Sequence, residues 1–231
     1  MCIRDRYNTS TVTSLNDLVA ISGTSGNNYV ISTDDVSLIS SGYVLSAGAV
    51  ASGTYITSII TGYILSVSSS AADPARTPGT YTVSNLSGSI AGTGASFSIV
   101  IDANGAATAT VVDGGAGFVA TETITVSVND IGTTGTDLTI TVDTVGAKIN
   151  LSGNLSAALS GSQRFYDPIR VSTNDPSGIS TGLDVESNSS SNVPISTTVT
   201  NVNGSTITLS QSTTAFISAE EFTFANISNV T

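Results

Sequence analysis

Apolar and hydroxyl-bearing residues alternate along much of the chain, most regularly between Gly79 and Val142. Phe97, Ile99 and Ile101 occupy every second position, and Ser98 lies between the first two, which is the period of a half-buried β-strand. The same alternation predicts strands through further sets of residues: Tyr81 and Val83; Ala107, Ala109 and Val111; Ile124, Val126 and Val128; and Leu138, Ile140 and Val142. The stretch therefore predicts a module of about five strands.

Turn signals divide these strands from one another. Asn104-Gly105 stands between two alternating runs, and this dipeptide predicts a hairpin turn in which both central residues have positive φ. The glycine-rich cluster from Asp113 to Gly117 predicts the end of the strand that starts near Ala107.

The sequence of this module is similar to a known repeat. Gly114-Gly115-Ala116-Gly117-Phe118, followed by Thr123–Val126 and Asp137–Val142, resembles a β-repeat of tail-fibre and other virion structural proteins of marine tailed bacteriophages. Residues 92–97 belong to the same pattern, so the resemblance covers about residues 79–142. The family usually has Gly-Asp where this chain has Thr121-Glu122. The resemblance implies a structural building block and names no chemistry.

The flanking segments predict shorter strands separated by Gly, Asp or Ser. These predicted strands are Tyr29–Ile31, Val36–Ile39, Tyr43–Leu45, Tyr55–Ile60 and Tyr63–Val67. The spacing of Leu15, Leu18, Val19 and Ile21 allows one short helical turn, which Gly23 would end. The sequence thus predicts an all-β fold of small antiparallel β-sandwich or barrel-like modules, joined by short linkers and without a substantial helix.

An internal similarity links the two flanks. Thr54–Ile59, with Gly62 and Ile64-Leu65-Ser66 after it, resembles Thr197–Val202, with Gly204 and Thr208-Leu209-Ser210 after it. Both runs predict a strand, a glycine turn and a second strand that ends in Leu-Ser. Chance similarity in a sequence so rich in Thr, Ser and Val is the alternative explanation.

Composition changes suggest domain boundaries. Met1–Arg6 holds the only Met and the only Cys, resembles a translated sequencing-adaptor leader, and predicts that residues 1–7 are not native and that the chain is a fragment. The prolines between Ser68 and Pro78 predict a linker. The predicted division is an N-terminal β-unit at residues 8–72, a central β-module at 73–148 and a C-terminal β-unit at 149–231.

Charge and composition exclude several partners. The chain has 6 Lys and Arg against 17 Asp and Glu, and Arg164 and Arg170 form no basic patch, so we expect no nucleic-acid partner. No apolar run approaches the ~20 residues that span a bilayer, so we expect no membrane insertion. Cys2 is the only cysteine, so no intrachain disulfide is possible and stability must come from sheets and oligomer contacts.

Candidate catalytic groups are few. The chain has no histidine, which removes the usual general base, and the carboxylate pairs that remain are Asp34-Asp35, Asp184 with Glu186, and Glu220-Glu221. Adjacent strand residues point to opposite faces, so Asp34-Asp35 and Glu220-Glu221 would share a site only if they lay in a loop, whereas Asp184 and Glu186 could share a face. Solvated positions at loop edges explain all of them better, and we expect no enzyme, no catalytic residue and no cofactor.

Calcium is a second inorganic possibility, because oxygen-rich loops supply the ligands that this ion prefers. The loops in question are Asp102–Asn104, Asp113 and Asn174-Asp175. Hairpin-turn chemistry explains Asp102 and Asn104 without a metal, so no metal site is predicted.

Three functional hypotheses follow. The first is a structural subunit of an extracellular bacteriophage virion, such as a tail-fibre, baseplate or surface-decorating protein. It would act as a homo-oligomer, a trimer or larger, with other virion proteins and with host surface glycans as further candidate partners. The second is an adhesin, glycan-binding module or surface-filament subunit at a cell surface. The third is a polysaccharide-cleaving enzyme, which the absence of His and Trp disfavours.

Aromatic residues bear on the first two hypotheses. A glycan-binding module needs exposed aromatic side chains, for which Tyr29, Tyr43, Tyr55 and Tyr63 are the candidates. The largest apolar side chains near the C-terminal end are Phe216, Phe222 and Phe224, which we expect to pack in a core or at an oligomer interface.

Overall fold

The computed structural model describes residues 8–84, 86–89 and 91–226, so the predicted leader, residues 1–7, lies outside the described residues. Apart from one 3₁₀ turn at Val128–Asp130, the regular structure in these ranges is β-strand, and the all-β prediction is confirmed. The strands are β1 Asn8–Gly23, β2 Tyr29–Ser32, β3 Val44–Ser46, β4 Ile56–Ser69, β5 Gly79–Val83, β6 Leu86–Ser89, β7 Thr93–Ile101, β8 Ala107–Ala116, β9 Thr123–Val126, β10 Leu138–Leu151, β11 Leu159–Thr173, β12 Asp184–Ser187, β13 Val199–Asn203, β14 Thr206–Leu209 and β15 Glu220–Ala225.

The described chain divides into two compact units, and neither is continuous in sequence. Unit 1 comprises residues 8–28, 36–57 and 151–226, and unit 2 comprises residues 29–35 and 58–150. The predicted segments 8–72, 73–148 and 149–231 are each continuous. The difference arises because the chain leaves unit 1 and later returns to it, which no local sequence signal marks.

Unit 2 is a sandwich of two antiparallel sheets. One sheet has the strand order β5-β7-β8, and the other contains β6, β9 and β10, with β2 and β4 also paired to β10. Alternate side chains of a strand point to one face, so the inward residues of both sheets meet in one core. Fully buried members of this core include Phe97, Ile99, Ile124, Leu138 and Ile140.

The predicted hairpin at Asn104-Gly105 is present, because β7 and β8 pair from Ile101 and Ala107 onwards. Its loop is longer than a two-residue turn, and only Gly105 of the two central residues has positive φ, at 75°. A Cβ atom at Gly105 would lie 1.8 Å from the carbonyl oxygen of Asp73, so the position requires glycine for space as well.

Strand β8 ends within the predicted glycine cluster, but later than its first residues: it continues past Asp113 to Ala116, which lies opposite Thr93. A Cβ atom at Gly114 would lie 2.5 Å from the carbonyl oxygen of Ile64. The glycine therefore lets the β4 backbone approach closely, which explains why glycine stands within a strand here.

The predicted linker, residues 68–78, is anchored by one buried arginine. Arg76 is 4% exposed, and its guanidinium donates hydrogen bonds to the carbonyl oxygens of Ala71, Thr136 and Asp137 at 3.1 to 3.3 Å. These bonds satisfy the charge and also tie the segment to a loop far away in sequence. Proline content predicts a connecting segment but does not reveal such long-range bonds.

Unit 1 is built around a ring of six strands. Their order is β12, β15, β1, β11, β14 and β13, and residues 197–199 close the ring by pairing with residues 183–185. The ring encloses an apolar core that consists of Val12, Val171, Ile179, Val185, Val199, Ile207, Leu209, Ile217, Phe222 and Phe224. Phe222 and Phe224 are therefore core residues, one of the two roles expected for them.

The segment for which spacing allowed a helical turn is strand β1. It pairs with β11 from Gly23 opposite Leu159 to Val12 opposite Thr173, with one irregularity between Ser14 and Asn16. Pairing over this length supplies many backbone hydrogen bonds, which outweigh a local preference for one turn of helix.

Two parts of unit 1 repeat the same local structure, and we call them copy 1 (residues 36–57 and 151–166) and copy 2 (residues 176–225). Thr54 donates its hydroxyl to the carbonyl oxygen of Ala51 over 2.7 Å, and Thr197 donates to Pro194 over 2.6 Å. Further pairs of residues make matching hydrogen bonds in the two copies: Gly42 and Gly182, Tyr43 and Leu183, Leu45 and Val185, Tyr55 and Thr198, Ile56 and Val199, Ser152 and Ser210, and Ser156 and Thr214.

The repeat confirms the first half of the internal similarity and corrects the second. Thr54–Ile59 does correspond to Thr197–Val202, but β4 continues through Gly62 as one strand, because Gly117 and Phe118 donate hydrogen bonds to Thr61 and Gly62. The predicted strands Tyr55–Ile60 and Tyr63–Val67 are thus one, and the predicted strand Val36–Ile39 is a turn.

The repeat also shows where the main segment of unit 2, residues 58–150, is placed in the chain. In copy 2, residues 201–208 form the hairpin between β13 and β14. Leu209-Ser210 corresponds to Leu151-Ser152, so residues 58–150 stand in copy 1 where copy 2 has this short hairpin. The long segment of unit 2 is therefore an insertion into a hairpin of copy 1.

Replacing Arg76 by alanine should destabilise unit 2. Three carbonyl groups lose their donor and a cavity remains, so we expect the free energy of unfolding to fall by about 2–4 kcal/mol. Urea unfolding followed by circular dichroism measures the change. Arg164→Ala is the control and should cost less than about 1 kcal/mol, because that side chain only stacks on a ring. Equal midpoints for the two variants would contradict the role given to Arg76.

Asp73 should make stability depend on acid pH. The N–H of Ala75, together with the hydroxyl and N–H of Thr136, lowers the pKa of Asp73 below its ordinary value. A carboxyl with a lowered folded pKa stabilises the fold above its unfolded pKa, and that contribution disappears as the pH falls through the folded pKa. Melting temperatures below about pH 4 should therefore fall more steeply for the parent protein than for Asp73→Asn. Parallel curves would refute this.

Candidate functional site

The surface of unit 1 contains a groove, which we call the unit 1 groove. It consists of three adjoining depressions of about 360, 430 and 400 Å³. The first two share Val44 and Tyr166, and the last two share Gly42 and Pro168. The loop after β3 forms one wall, and β11 with residues 212–216 forms the other.

The middle depression combines aromatic rings with hydroxyl groups. Its lining contains no charged side chain and consists of Gly42, Val44, Ser52, Gly53, Tyr55, Tyr166, Pro168, Ser212, Thr213 and Thr214. Tyr55 is 47% exposed, whereas Tyr166 is buried, and this burial raises the pKa of Tyr166. Thr213 is also buried, and its Oγ1 has no hydrogen-bond partner among the described residues. A buried hydroxyl without a partner is costly, so its position requires an explanation.

One end of the groove is formed by a stack of side chains. The guanidinium carbon of Arg164 lies 4.1 Å from the ring centroid of Phe216, and the ring of Phe216 meets Tyr166 edge to face at 5.8 Å. Phe216 is half-buried and lines the depression, so it lies outside the apolar core that holds Phe222 and Phe224.

The other end of the groove holds an ion pair. The buried carboxylate of Asp167 accepts hydrogen bonds from Arg170 Nε and from the N–H groups of Ile169 and Arg170. This pairing raises the pKa of Arg170. Burial, reinforced by the charge of Asp167, raises the pKa of Tyr43. The pair neutralises itself, so this end offers no free charge to a ligand.

Only one of the four tyrosines proposed as glycan contacts is well exposed. Tyr43 and Tyr63 are buried, and Tyr29 is half-buried. The ammonium of Lys148 lies 4.6 Å from the ring centroid of Tyr29, 5.6 Å from that of Tyr63 and 3.5 Å from Asp113 Oδ2. Tyr29 and Tyr63 thus shield a lysine in unit 2. Tyr43 lines the third depression of the unit 1 groove but is buried, so Tyr55 is the one of the four that is exposed there.

The candidate carboxylates occupy separate local environments. Asp34 and Asp35 lie in the exposed turn after β2, and Asp184 and Glu186 lie on β12 either side of the buried Val185. No group of three or more acidic, His or Cys side chains within the described ranges is arranged to hold a metal ion.

Glu220 organises the longest loop of copy 2. Its Oε2 accepts hydrogen bonds from the hydroxyls of Ser187 at 3.1 Å and Ser190 at 2.6 Å, and its Oε1 accepts one from Asn192 at 3.4 Å. Its neighbour Glu221 is exposed on the opposite side of β15. Glu220 is therefore engaged in holding the loop.

The loops considered for calcium use their carboxylates to bind the main chain. Asp102 Oδ1 accepts hydrogen bonds from the N–H groups of Asn104 and Ala106, and Asp113 Oδ1 accepts one from Gly115. Bonds from the side chain and the N–H of Ser177 lower the pKa of Asp175. Each carboxylate caps its own turn, in agreement with the turn chemistry given for Asp102.

Comparison with known proteins identified no relative. No protein-family model, no curated protein and no solved structure matches this chain. In the part of the chain that the structure describes, no helix is both long and apolar enough to cross a membrane.

Sequence reasoning missed most of the residues that line the groove. Tyr166, Thr213 and Phe216 come from segments more than 90 residues away from Tyr55 in the sequence, so no local pattern joins them. A usable signal was present in the turn of each copy, because Ile39-Ser40-Ser41-Gly42 closely matches Ile179-Ser180-Thr181-Gly182. Alignment from that match places the two copies side by side.

Removing the Glu220 carboxylate should loosen the copy 2 loop. In Glu220→Ala, three donors lose their acceptor, and we expect the amides of Ser190 and Asn192 to exchange hydrogen about tenfold faster or more. Hydrogen exchange followed by mass spectrometry or NMR measures this. The matched control is Glu221→Ala at the adjacent exposed position, which should leave both amides unchanged. Equal rates in the two variants would show that Glu220 does not hold the loop.

Proposed function

We propose that the chain is a structural subunit of a bacteriophage virion, such as a tail-fibre, baseplate or surface-decorating protein, that works by assembling into a β-rich oligomer. The observation that carries this proposal is the duplicated β-motif of unit 1. Tandem motifs that share strands are typical of proteins whose role is to extend a rigid framework. The similarity of residues 79–142 to a virion β-repeat supports the same role.

The surface chemistry of unit 2 also favours assembly. In the described chain, β8 has one strand neighbour in the sheet β5-β7-β8. Beside its two ends, Gly105 accepts a backbone hydrogen bond from Asp73 and Gly117 donates one to Thr61, so the edge between these points is the part that a further strand could pair with. Val100 and Val112 are about half exposed on β7 and β8. An open edge with apolar residues beside it is a site where chains pair with one another.

The assembly state tests the proposal. We expect light scattering coupled to size exclusion to give the mass of a trimer or a larger oligomer for the full chain. Val112→Lys places a charge beside the open edge and should lower that mass. Val119→Lys is the matched control, because Val119 is similarly exposed in a loop, and it should leave the mass unchanged. A folded monomer at every concentration tested would contradict the proposal.

A further inference from the structure

We propose that the middle of the unit 1 groove binds one neutral sugar unit of a carbohydrate, with the ring of Tyr55 stacked on the sugar and the threonine and serine hydroxyls bonded to its hydroxyl groups. The proposal gives a ligand to the proposed structural subunit, but it does not rest on assembly. A monomer with an occupied groove would satisfy it equally well.

The chemistry of the lining fits a neutral sugar. A sugar ring has an apolar face of C–H groups and an edge of hydroxyls that both donate and accept hydrogen bonds. Tyr55 offers a flat apolar surface, and Ser52, Ser212 and Thr214 offer hydroxyls of the same dual character. The absence of a charged side chain from this lining favours an uncharged ligand.

The duplication in unit 1 shows that the motif accepts other residue types at the positions of the groove residues. Because copy 2 has the same hydrogen bonds, it reports which residue types the scaffold accepts at each position. The groove residues differ from their counterparts in the other copy as follows: Tyr55 corresponds to Thr198, Tyr166 to Ala225, Phe216 to Ala158, and Thr213 to Leu155. The same backbone hydrogen bonds therefore form with and without an aromatic side chain at these positions.

Thr213 supplies an independent observation. Its counterpart Leu155 is buried, and an apolar side chain suits a buried position. Thr213 is equally buried, lines the middle depression, and carries an Oγ1 without a partner among the described residues. A leucine would avoid the cost of an unpaired hydroxyl. Thr213 Oγ1 is itself buried, so a ligand hydroxyl reaches it only when a neighbouring side chain of the lining moves; that pairing accounts for the presence of threonine.

The wall that carries Tyr55 is held in place before any ligand arrives. The N–H of Tyr55 donates to Ser152 Oγ at 3.1 Å, and its carbonyl oxygen accepts from the N–H of Ser152 at 2.9 Å. The loop before it is bonded through Ala49 to Ser156, by both the N–H and the hydroxyl of that serine. A preformed site loses little conformational entropy on binding, which suits a small ligand.

A glycan array tests the proposal with the full chain as the probe protein. The array carries neutral oligosaccharides of glucose, galactose, mannose and N-acetylglucosamine, together with uronic-acid and sulfated oligosaccharides. We expect binding to neutral members, and titration calorimetry with the best of them then gives the affinity. A blank array, or binding confined to the acidic members, would overturn the proposal.

Three single substitutions locate the site. Tyr55→Thr installs the residue that copy 2 has, so the fold is preserved, and we expect the affinity to fall roughly tenfold. Thr213→Val removes one hydroxyl at nearly constant volume and should weaken binding severalfold without lowering the melting temperature. Thr198→Ala changes the matching position of copy 2 and should bind as the parent does.

The outcomes separate a sugar site from the alternatives. Binding that is unchanged in Tyr55→Thr would place the carbohydrate elsewhere and overturn the site. The same aromatic and hydroxyl lining also suits a proline-rich peptide, and a synthetic polyproline peptide that binds in a Tyr55-dependent way while the array stays blank would overturn the sugar assignment. A trimeric protein with a blank array would refute this inference and leave the assembly proposal standing.

Discussion

The structure of unit 1 depends on the antiparallel pairing of β1 with β11. The chain has few large aromatic residues and no possible disulfide, so backbone pairing must supply much of its order. β11 pairs with β3 through residues 164–166 and with β14 through residues 170–172, while its other edge runs along β1. One strand thereby contributes residues 159–166 to copy 1 and pairs through residues 170–172 with β14 of copy 2, so it joins the two copies.

Comparison of the two copies separates positions at which both have the same residue type from positions at which the side chains differ. Gly42 and Gly182 both have positive φ and donate the same hydrogen bond, and Thr54 and Thr197 both close the loop that precedes them. These positions are constrained by backbone geometry. Tyr55 and its counterpart Thr198 make the same backbone bonds with different side chains, so that side chain is free to serve binding.

The insertion of residues 58–150 explains why one chain contains two separate apolar cores, one in each unit. A hairpin end is a site where a chain tolerates added structure, because only the two strand ends must stay close together. The inserted sandwich has its own apolar core, and the buried Arg76 secures its loops by donating to three carbonyl groups. A polar anchor of this kind is specific, since an apolar residue there would leave those carbonyls unpaired.

The alternation of apolar and hydroxyl residues by itself determined the all-β fold and strands such as β7, β9 and the first part of β10, because side-chain direction in a strand has a period of two. Only the tertiary structure decided which strands continue past a glycine, as β4 does at Gly62. It also decided that the proline-rich segment 68–78 is held in place by the hydrogen bonds of Arg76. It alone joined Tyr55, Tyr166 and Thr213 in one groove. The physical reason is that these outcomes rest on hydrogen bonds and close backbone approaches between residues distant in sequence, which local pattern does not encode.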